Sequence, residues 1–469
     1  MSLLPCRLPA TNTNALFHSF LHRSAPPRPS FLLYFGNLRR LVLLWWFGGK
    51  KWGWVGVVSF RSRFLMVIKV DLDLFSGMGN KKKEGGDERN TVLVPESVKI
   101  VNVYSMNPIA TKVAVIGAGI SGAVCASNLA KNGISVTVFE SARGPGGRTS
   151  RRREIGEDGR ELYFDHGAPC FTTTNTDVEE MVRVWEARGL VAEWKQNFGS
   201  FDFITKEFVN FEKEGLNKKY VGIPGMNSMC RTLCHEPGIE SKFGVTVGSL
   251  EWLENKDLWS LKDKDGHDLG QFNGVVASDK STFSRRFTQV TGKPPPLDLN
   301  LIPGLADIIK DVPVRPCFAL MLAFENPVFG FSFENSEVLS WAFCESSKPG
   351  RSTSSERWVL HSTEQYAEGI ISQAGLQKPS NAALTEIAEE LFQEFQRTGL
   401  DISLPFFKKA HRWGSAFPVT SIARNEKCIW DGQKKLAICG DFCVSPNVEG
   451  AILSGFTAAS IFDETVSRL

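Results

Sequence analysis

The chain holds 469 residues, 42% hydrophobic and 22% charged, long enough for two to four ordinary domains and a large core in the balance of a globular protein. Its formal charge of +3 hides an uneven distribution: residues 1–70 carry ten Lys or Arg and no Asp or Glu, leaving 44 basic against 51 acidic residues beyond them, a net −7. A body of that sign lacks the clustered basic surface on which nucleic-acid affinity rests, and ten cysteines without a CxxC pair or four-cysteine zinc spacing read as reduced, buried thiols, so nucleic acid and metal are both set aside.

Residues 1–40 carry Arg7, Arg23, Arg28, Arg39 and Arg40 among scattered Ser and Thr and no acid. This is the composition of an organellar transit peptide, pointing to chloroplast or mitochondrion, with the cytoplasm as the alternative. Leu41–Phe60 is apolar and rich in Trp, but Lys50 and Lys51 split it into runs well short of the roughly 18–20 apolar residues that cross a bilayer, and no membrane span is expected. Gly77–Asn90 (GMGNKKKEGGDERN) reads as a disordered linker, so residues 41–110 are expected as disorder or linker, with folding starting near Thr111.

Lys112–Ile116 (KVAVI) is a short β-branched run suited to a strand buried on both faces of a parallel sheet. Gly117, Gly119 and Gly122 then form GxGxxG, whose glycines allow a tight turn, close approach of backbone to a pyrophosphate, and close helix-to-strand contact. The predicted helix Ile120–Lys131, with Ser121 in its first turn, aims its free N–H groups and positive dipole end at that phosphate, and Asn132-Gly133 stops it. A second strand, Ile134–Phe139, leads into Glu140, placed about 20 residues beyond the glycines to accept from an adenosine ribose.

Gly146-Gly147-Arg148 argues for FAD among the dinucleotides, since glycines let a loop lie against the cofactor and an Arg holds pyrophosphate or flavin oxygens. Far along the chain, the short strand Leu436–Cys439 runs into Gly440-Asp441, where a carboxylate suits a ribityl hydroxyl. Val448-Glu449-Gly450-Ala451 then opens an apolar helix through Ala459 that presents N-terminal amides to the same ligand. The helix-period stripes Val178, Met181, Val182, Trp185 and Leu384, Ile387, Ala388, Leu391, Phe392, Phe395 read as core-facing. No nucleophile elbow, P-loop lysine, HExxH or redox CxxxxC is present.

From Thr111 onward the chain resembles the FAD-dependent amine oxidase superfamily and, within it, the renalase-like oxidoreductases. The stretches that carry the resemblance are Val113–Ser150, FDHGAPCFT (Phe164–Thr172), WAFCESSKPGR (Trp341–Arg351), WVLHST (Trp358–Thr363), HRWGSAFP (His411–Pro418) and Ile438–Gly455. The resemblance implies an α/β architecture: a discontinuous Rossmann-type FAD-binding domain (residues 111–172, 219–285 and 412–469), an inserted mixed α+β substrate domain (173–218 and 286–411), and a disordered N-terminal leader. It adds Gly167 and Ala168 to the cofactor contacts and opens the substrate pocket onto the flavin ring. Pro169-Cys170 and Asp279-Lys280 depart from the usual pattern, the latter standing where a proline-containing turn is common.

Three pocket candidates follow: His361 for a hydrogen bond to a nicotinamide or amine, Trp413 for stacking on a planar substrate, and Arg351 for an anionic group, each set against a purely structural role. None is assigned as a catalyst. With one dinucleotide fingerprint, a nicotinamide has to enter the substrate pocket. The resemblance thus points to an FAD-dependent oxidase that takes hydride from a small substrate such as a dihydronicotinamide isomer and passes the electrons to O2. The alternatives are an amine oxidase or desaturase-like enzyme, and a non-catalytic binding protein like the GDP-dissociation inhibitors. Oligomeric state is left open.

Overall fold

The computed structural model describes residues 111–466 except 197, 212–217, 310–311, 325–330 and 376, together with the backbone of four strands between residues 40 and 105. Those four, Arg40–Gly48, Lys51–Ser59, Leu65–Leu72 and Ile100–Ser105, pair in chain order as an antiparallel meander within a unit of their own. Their β-branched and aromatic runs suit strands, and they lie inside the segment read from composition as disorder or linker. Residues 1–39, which hold nearly all of the expected transit peptide, lie outside the described residues.

The second unit is built on a six-stranded sheet in the spatial order Ile239–Phe243, Ser135–Glu140, Lys112–Ile116, Gly274–Ala277, Leu436–Ile438 and Ile429–Asp431. The first five strands run parallel and the last antiparallel. Because side chains alternate along a strand, Val113, Val115, Val136, Val138, Val276 and Ala437 bury one face against the helices Ile120–Lys131 and Val448–Val466. Ala114, Ile116, Phe139, Val275, Ala277, Leu436 and Ile438 bury the other against Trp259 and Leu261, which belong to a three-stranded antiparallel sheet. The two helices meet closely: a Cβ on Gly455 would lie 2.1 Å from the Ser121 carbonyl oxygen. The glycine-loop helix covers the expected residues, the second strand ends on Glu140 itself, and the last helix runs beyond Ala459 to Val466. This mixed α/β arrangement around a Rossmann-type sheet is the architecture the resemblance implied.

Between the visits to this sheet the chain builds a seven-stranded mixed sheet, ordered Glu207–Val209, Ser200–Asp202, Phe331–Glu334, Leu339–Cys344, Glu356–Ser362, Val314–Phe324 and Phe407–Pro418. One face, with Phe318, Leu320, Leu322 and Trp358, packs on Ile387, Leu391, Phe392 and Phe395 of the helix Asn381–Gln396, as their spacing predicted. The opposite face, with Ala319, Met321, Ala323, Val359, Phe407 and Trp413, packs on Leu162 and Phe164. On that face Ala319 pairs with His361 on one side and His411 on the other, so register alone puts two histidines in one row across three strands. No helix among the described residues is long and apolar enough to cross a membrane.

Candidate active site

The glycine loop at the carboxyl ends of the parallel strands is shaped by three different demands. Gly117 has φ +101°, and a Cβ there would fall 2.8 Å from Ser278 Oγ; a Cβ on Gly122 would fall 2.1 Å from the Gly117 carbonyl oxygen. Both positions are closed by the protein itself. Gly119, by contrast, would put its Cβ into open space, with no neighbour among the described residues within 4 Å, so packing within the described chain does not require the glycine there. Gly146 and Gly147, with φ +141° and +53°, run beside it: the Gly146 amide donates to the Ala118 carbonyl at 2.9 Å. Glu140 holds both edges, accepting the Ala118 amide and the Ala142 amide at 2.8 Å each. The result is a backbone cradle with an open floor at a helix N-terminus, the form an anionic diphosphate requires.

Arg148 and Asp441, each expected to contact the cofactor, are bound to each other: Nη1 and Nη2 donate to the two carboxylate oxygens at 2.5 and 2.7 Å, and Nη1 also reaches the Ala416 carbonyl at 3.1 Å. This bidentate pair ties the second glycine segment to the end of the strand Leu436–Ile438. Gly167 and Ala168 dock on the same segment, the Ala168 amide donating to the Arg148 carbonyl at 2.8 Å, and a Cβ on Gly167 would lie 2.0 Å from that oxygen. Ser121 is buried beside the Cys439 thiol. Gly450 and Ala451 begin the last helix, with the Gly450 amide taken by Asn447 Oδ1 at 2.7 Å. Glu449 clamps the amides of Thr174 and Asn175.

The sequence-predicted His361 and Trp413 converge with two residues it did not single out, His166 and His411. His361 Nε2 donates to the His166 carbonyl at 3.2 Å, and Trp413 Nε1 donates to the same oxygen at 3.0 Å. The His166 ring lies 4.8 Å from that of His411 and 4.9 Å from that of Trp413. Arg152 Nη1 lies 2.8 Å from His411 Nδ1; since Arg only donates, that nitrogen is the acceptor, and the neutral ring carries its proton on Nε2. Burial pushes His166 down to about 3, with His411 and Arg152 adding to it; burial likewise takes His361 and, with Arg152, His411 down to about 4. All three imidazoles are neutral at physiological pH.

Arg351 does not reach this cluster as an anion binder. It is buried in a network in which Nη2 donates to Asp165 at 2.5 Å, Nε to Glu345 at 2.9 Å, and Nη1 to the carbonyls of Gly222 and Pro349. Lys348 bridges the same two carboxylates, and all four side chains are fully removed from solvent. Its donors are spent on pinning the SKPGR turn to Asp165, and so on fixing His166 next to it. The signal the sequence offered for this was the concentration of charge within ESSKPGR facing an isolated Asp165. His166 and His411 lay within the motifs quoted above, but nothing local marks them as partners.

Comparison with known proteins agrees with this geometry. Residues 115–185 match the NAD(P)-binding Rossmann-like domain family. Mitochondrial protoporphyrinogen oxidase of Nicotiana tabacum is 41% identical over 178 residues, 38% of this chain and 29% of that protein. The tRNA 5-methylaminomethyl-2-thiouridine biosynthesis bifunctional protein MnmC of Thiobacillus denitrificans is 25% identical over 264 residues, 48% of this chain and 41% of its own length. The chain thus spans well under half the length of these curated relatives. Solved structures of putrescine oxidase superpose over most of it: a redesigned triple mutant with a TM-score of 0.52 at 12% identity, covering 77% of this chain and 99% of that one, and the wild type bound to putrescine at 0.50 and 12%, covering 75% and 99%. The chain has the fold of these putrescine oxidase structures, and its cradle, open at Gly119 and closed at Gly117 and Gly122, fits the FAD that the resemblance implied.

Proposed function

We propose that this chain, carrying the flavin amine oxidase fold, is an FAD-dependent oxidase that takes hydride from a small, neutral, planar substrate, in the renalase-like manner, with a dihydronicotinamide isomer as the model and dioxygen as the final acceptor. The observation that carries the reading is the cluster of His166, His361, His411 and Trp413 beside the segment that flanks the glycine cradle, with its three imidazoles neutral. When bound, FAD supplies the two-electron acceptor. In balance, one dihydronicotinamide, one proton and one dioxygen give one nicotinamide cation and one hydrogen peroxide.

The chain's own part is position and polarity. His361, whose Nε2 is engaged, keeps Nδ1 as an acceptor, and His411, whose Nδ1 is engaged, keeps an Nε2–H donor. A primary carboxamide offers the complementary N–H and C=O, and Trp413 gives a flat apolar surface for the attached ring. An alkylammonium substrate would call for an unpaired carboxylate. The carboxylates next to this cluster are committed, Asp165 and Glu345 to Arg351 and Lys348, and Glu154 to Arg152 and Lys409.

Amine oxidation is the second reading, favoured by the structural likeness to putrescine oxidase bound to putrescine. Oxygen consumption by the yellow, full-length protein with dihydronicotinamide isomers tests the first, with amines assayed in parallel. Turnover with an isomer supports it, and a flavin-loaded protein inert to every isomer but bleached anaerobically by an amine replaces it with the second. The same reading keeps residues 1–40 as an organellar transit peptide, which mass spectrometry of the mature N-terminus checks: abundant peptides from that segment would contradict it.

A further inference from the structure

The carboxyl edge of the parallel sheet holds a lysine whose ammonium makes no hydrogen bond among the described residues. The strand Gly274–Ala277 ends in Ser278-Asp279 and a short 3-10 turn, Lys280–Thr282. Ser278 and Asp279 lie directly against the first glycine of the cradle, since a Cβ on Gly117 would fall 2.8 Å from Ser278 Oγ and 3.1 Å from Asp279 Cβ. Ser278 Oγ donates to the carbonyls of Ile116 and Gly117 at 2.9 Å, fixing that contact. Lys280 is therefore delivered to the carboxyl edge of the sheet, where dinucleotides bind in this architecture.

Its Nζ is buried and makes no hydrogen bond among the described residues. Two carboxylates are near enough to act on it, and both are committed elsewhere: Asp441 to Arg148, and Asp279 to the amide and hydroxyl of Ser281. Two further cations, Arg148 and Arg286, face the same region. Arg286 donates to the Gly414 carbonyl at 2.9 Å. A buried ammonium without a partner is costly, and the locus carries three cations against two carboxylates, a deficit of negative charge that a bound anion removes. Arg148 is the residue sequence reasoning would choose for that anion, but Asp441 and the Ala416 carbonyl already hold it.

We infer that Lys280 is the side-chain ligand of the dinucleotide's pyrophosphate, reaching it from the end of the strand Gly274–Ala277 to complete a cradle otherwise made of backbone amides. The inference rests on the FAD reading above and assigns a residue to it. It also accounts for a lysine standing where a proline-containing turn is usual: the position has exchanged a rigid turn for a charge. Burial, with Arg148 adding to it and Asp441 and Asp279 opposing it, brings the ammonium down to about 8 when no anion is present. Affinity for the cofactor then weakens as pH rises above that value, about tenfold per unit, because binding must first return a proton to Nζ.

The test is FAD affinity of the full-length chain, and displacement of that FAD by ADP, for the parent protein, Lys280→Met and Lys280→Arg, each from pH 7 to 9.5. Loss of one charge-assisted hydrogen bond predicts that Lys280→Met weakens FAD and ADP alike by about 10- to 100-fold and loses the alkaline pH dependence, while Lys280→Arg recovers part of the affinity. Thermal unfolding without added nucleotide is expected to be no lower for Lys280→Met, since an unpaired buried charge has been removed, so a folding defect is read separately. Unchanged affinity for both nucleotides overturns the assignment, and so does weakened FAD with unchanged ADP, which would put Nζ at the flavin end. Failure of the parent protein itself to bind FAD would overturn the cofactor reading along with it.

Discussion

Two glycines of the same motif, three residues apart, are expected to fail in opposite ways. In Gly122→Ala the new methyl falls 2.1 Å from the Gly117 carbonyl oxygen and 2.5 Å from Ser278 Oγ. The first is backbone and cannot rotate away, so the helix must move off the strand end; the cost belongs at or above the upper end of overpacking, about 3 kcal/mol or more. In Gly119→Ala the methyl meets no described residue within 4 Å, and the backbone there, φ −69° and ψ 174°, is open to any residue. Stability should stay within about 0.5 kcal/mol of the parent, or rise slightly because the unfolded chain loses freedom. That methyl does occupy the floor on which the pyrophosphate would rest. Loss of even one amide contact to an ionised phosphate predicts FAD affinity lowered about 10- to 100-fold. Chemical denaturation without cofactor and titration of FAD by fluorescence quenching read the two effects independently. A Gly119→Ala protein that is stable and binds FAD like the parent would refute the claim that this loop faces the cofactor.

Arg351→Met should destabilise by about 3–5 kcal/mol, because it leaves Asp165 and Glu345 buried with Lys348 as their remaining ion-pair partner; denaturant midpoints check this, and a mild variant with a raised KM would restore Arg351 to the substrate site. His166 and His361 are held well below the pKa of a histidine in the unfolded chain, so between about pH 6.5 and 4 the unfolded state binds more protons. Stability should then fall with acidification by up to about 1.4 kcal/mol per pH unit for each, and His361→Gln should flatten that slope in pH-dependent unfolding. Trp413→Ala should raise KM for a planar heterocycle about tenfold, with Trp413→Phe close to the parent, in steady-state oxygen-consumption kinetics. An equal rise for both would point to loss of the Nε1 hydrogen bond to the His166 carbonyl instead.

What was legible in the sequence was local. The unit from Lys112 to Glu140 is written in consecutive residues: a β-branched strand, glycines at the turn, a helix stopped by Asn132-Gly133, and an acid ending the second strand. The stripe along Asn381–Gln396 likewise announces its buried face. What was not legible depends on long-range register. His166, His361 and His411 meet only because Ala319 pairs with both of the latter and the Phe164–Gly167 segment folds over that face. Arg148 and Asp441 are 293 residues apart, and each was a sound cofactor ligand on its own; only the fold shows that they satisfy each other. Arg351 looked like a turn residue free for an anion, because the turn's own Glu345 and the distant Asp165 that bury it are not marked as partners by any spacing. Lys280 stood out only as a departure, and its ammonium, unpaired among the described residues, follows from where the strand Gly274–Ala277 ends.

Whether the cleft at Gly119 holds FAD is tested most directly by the absorbance spectrum of the purified protein. The expected result is a yellow protein that releases FAD on denaturation at about one per chain. A colourless protein that takes up no FAD on incubation, while folded by its unfolding transition, would contradict it.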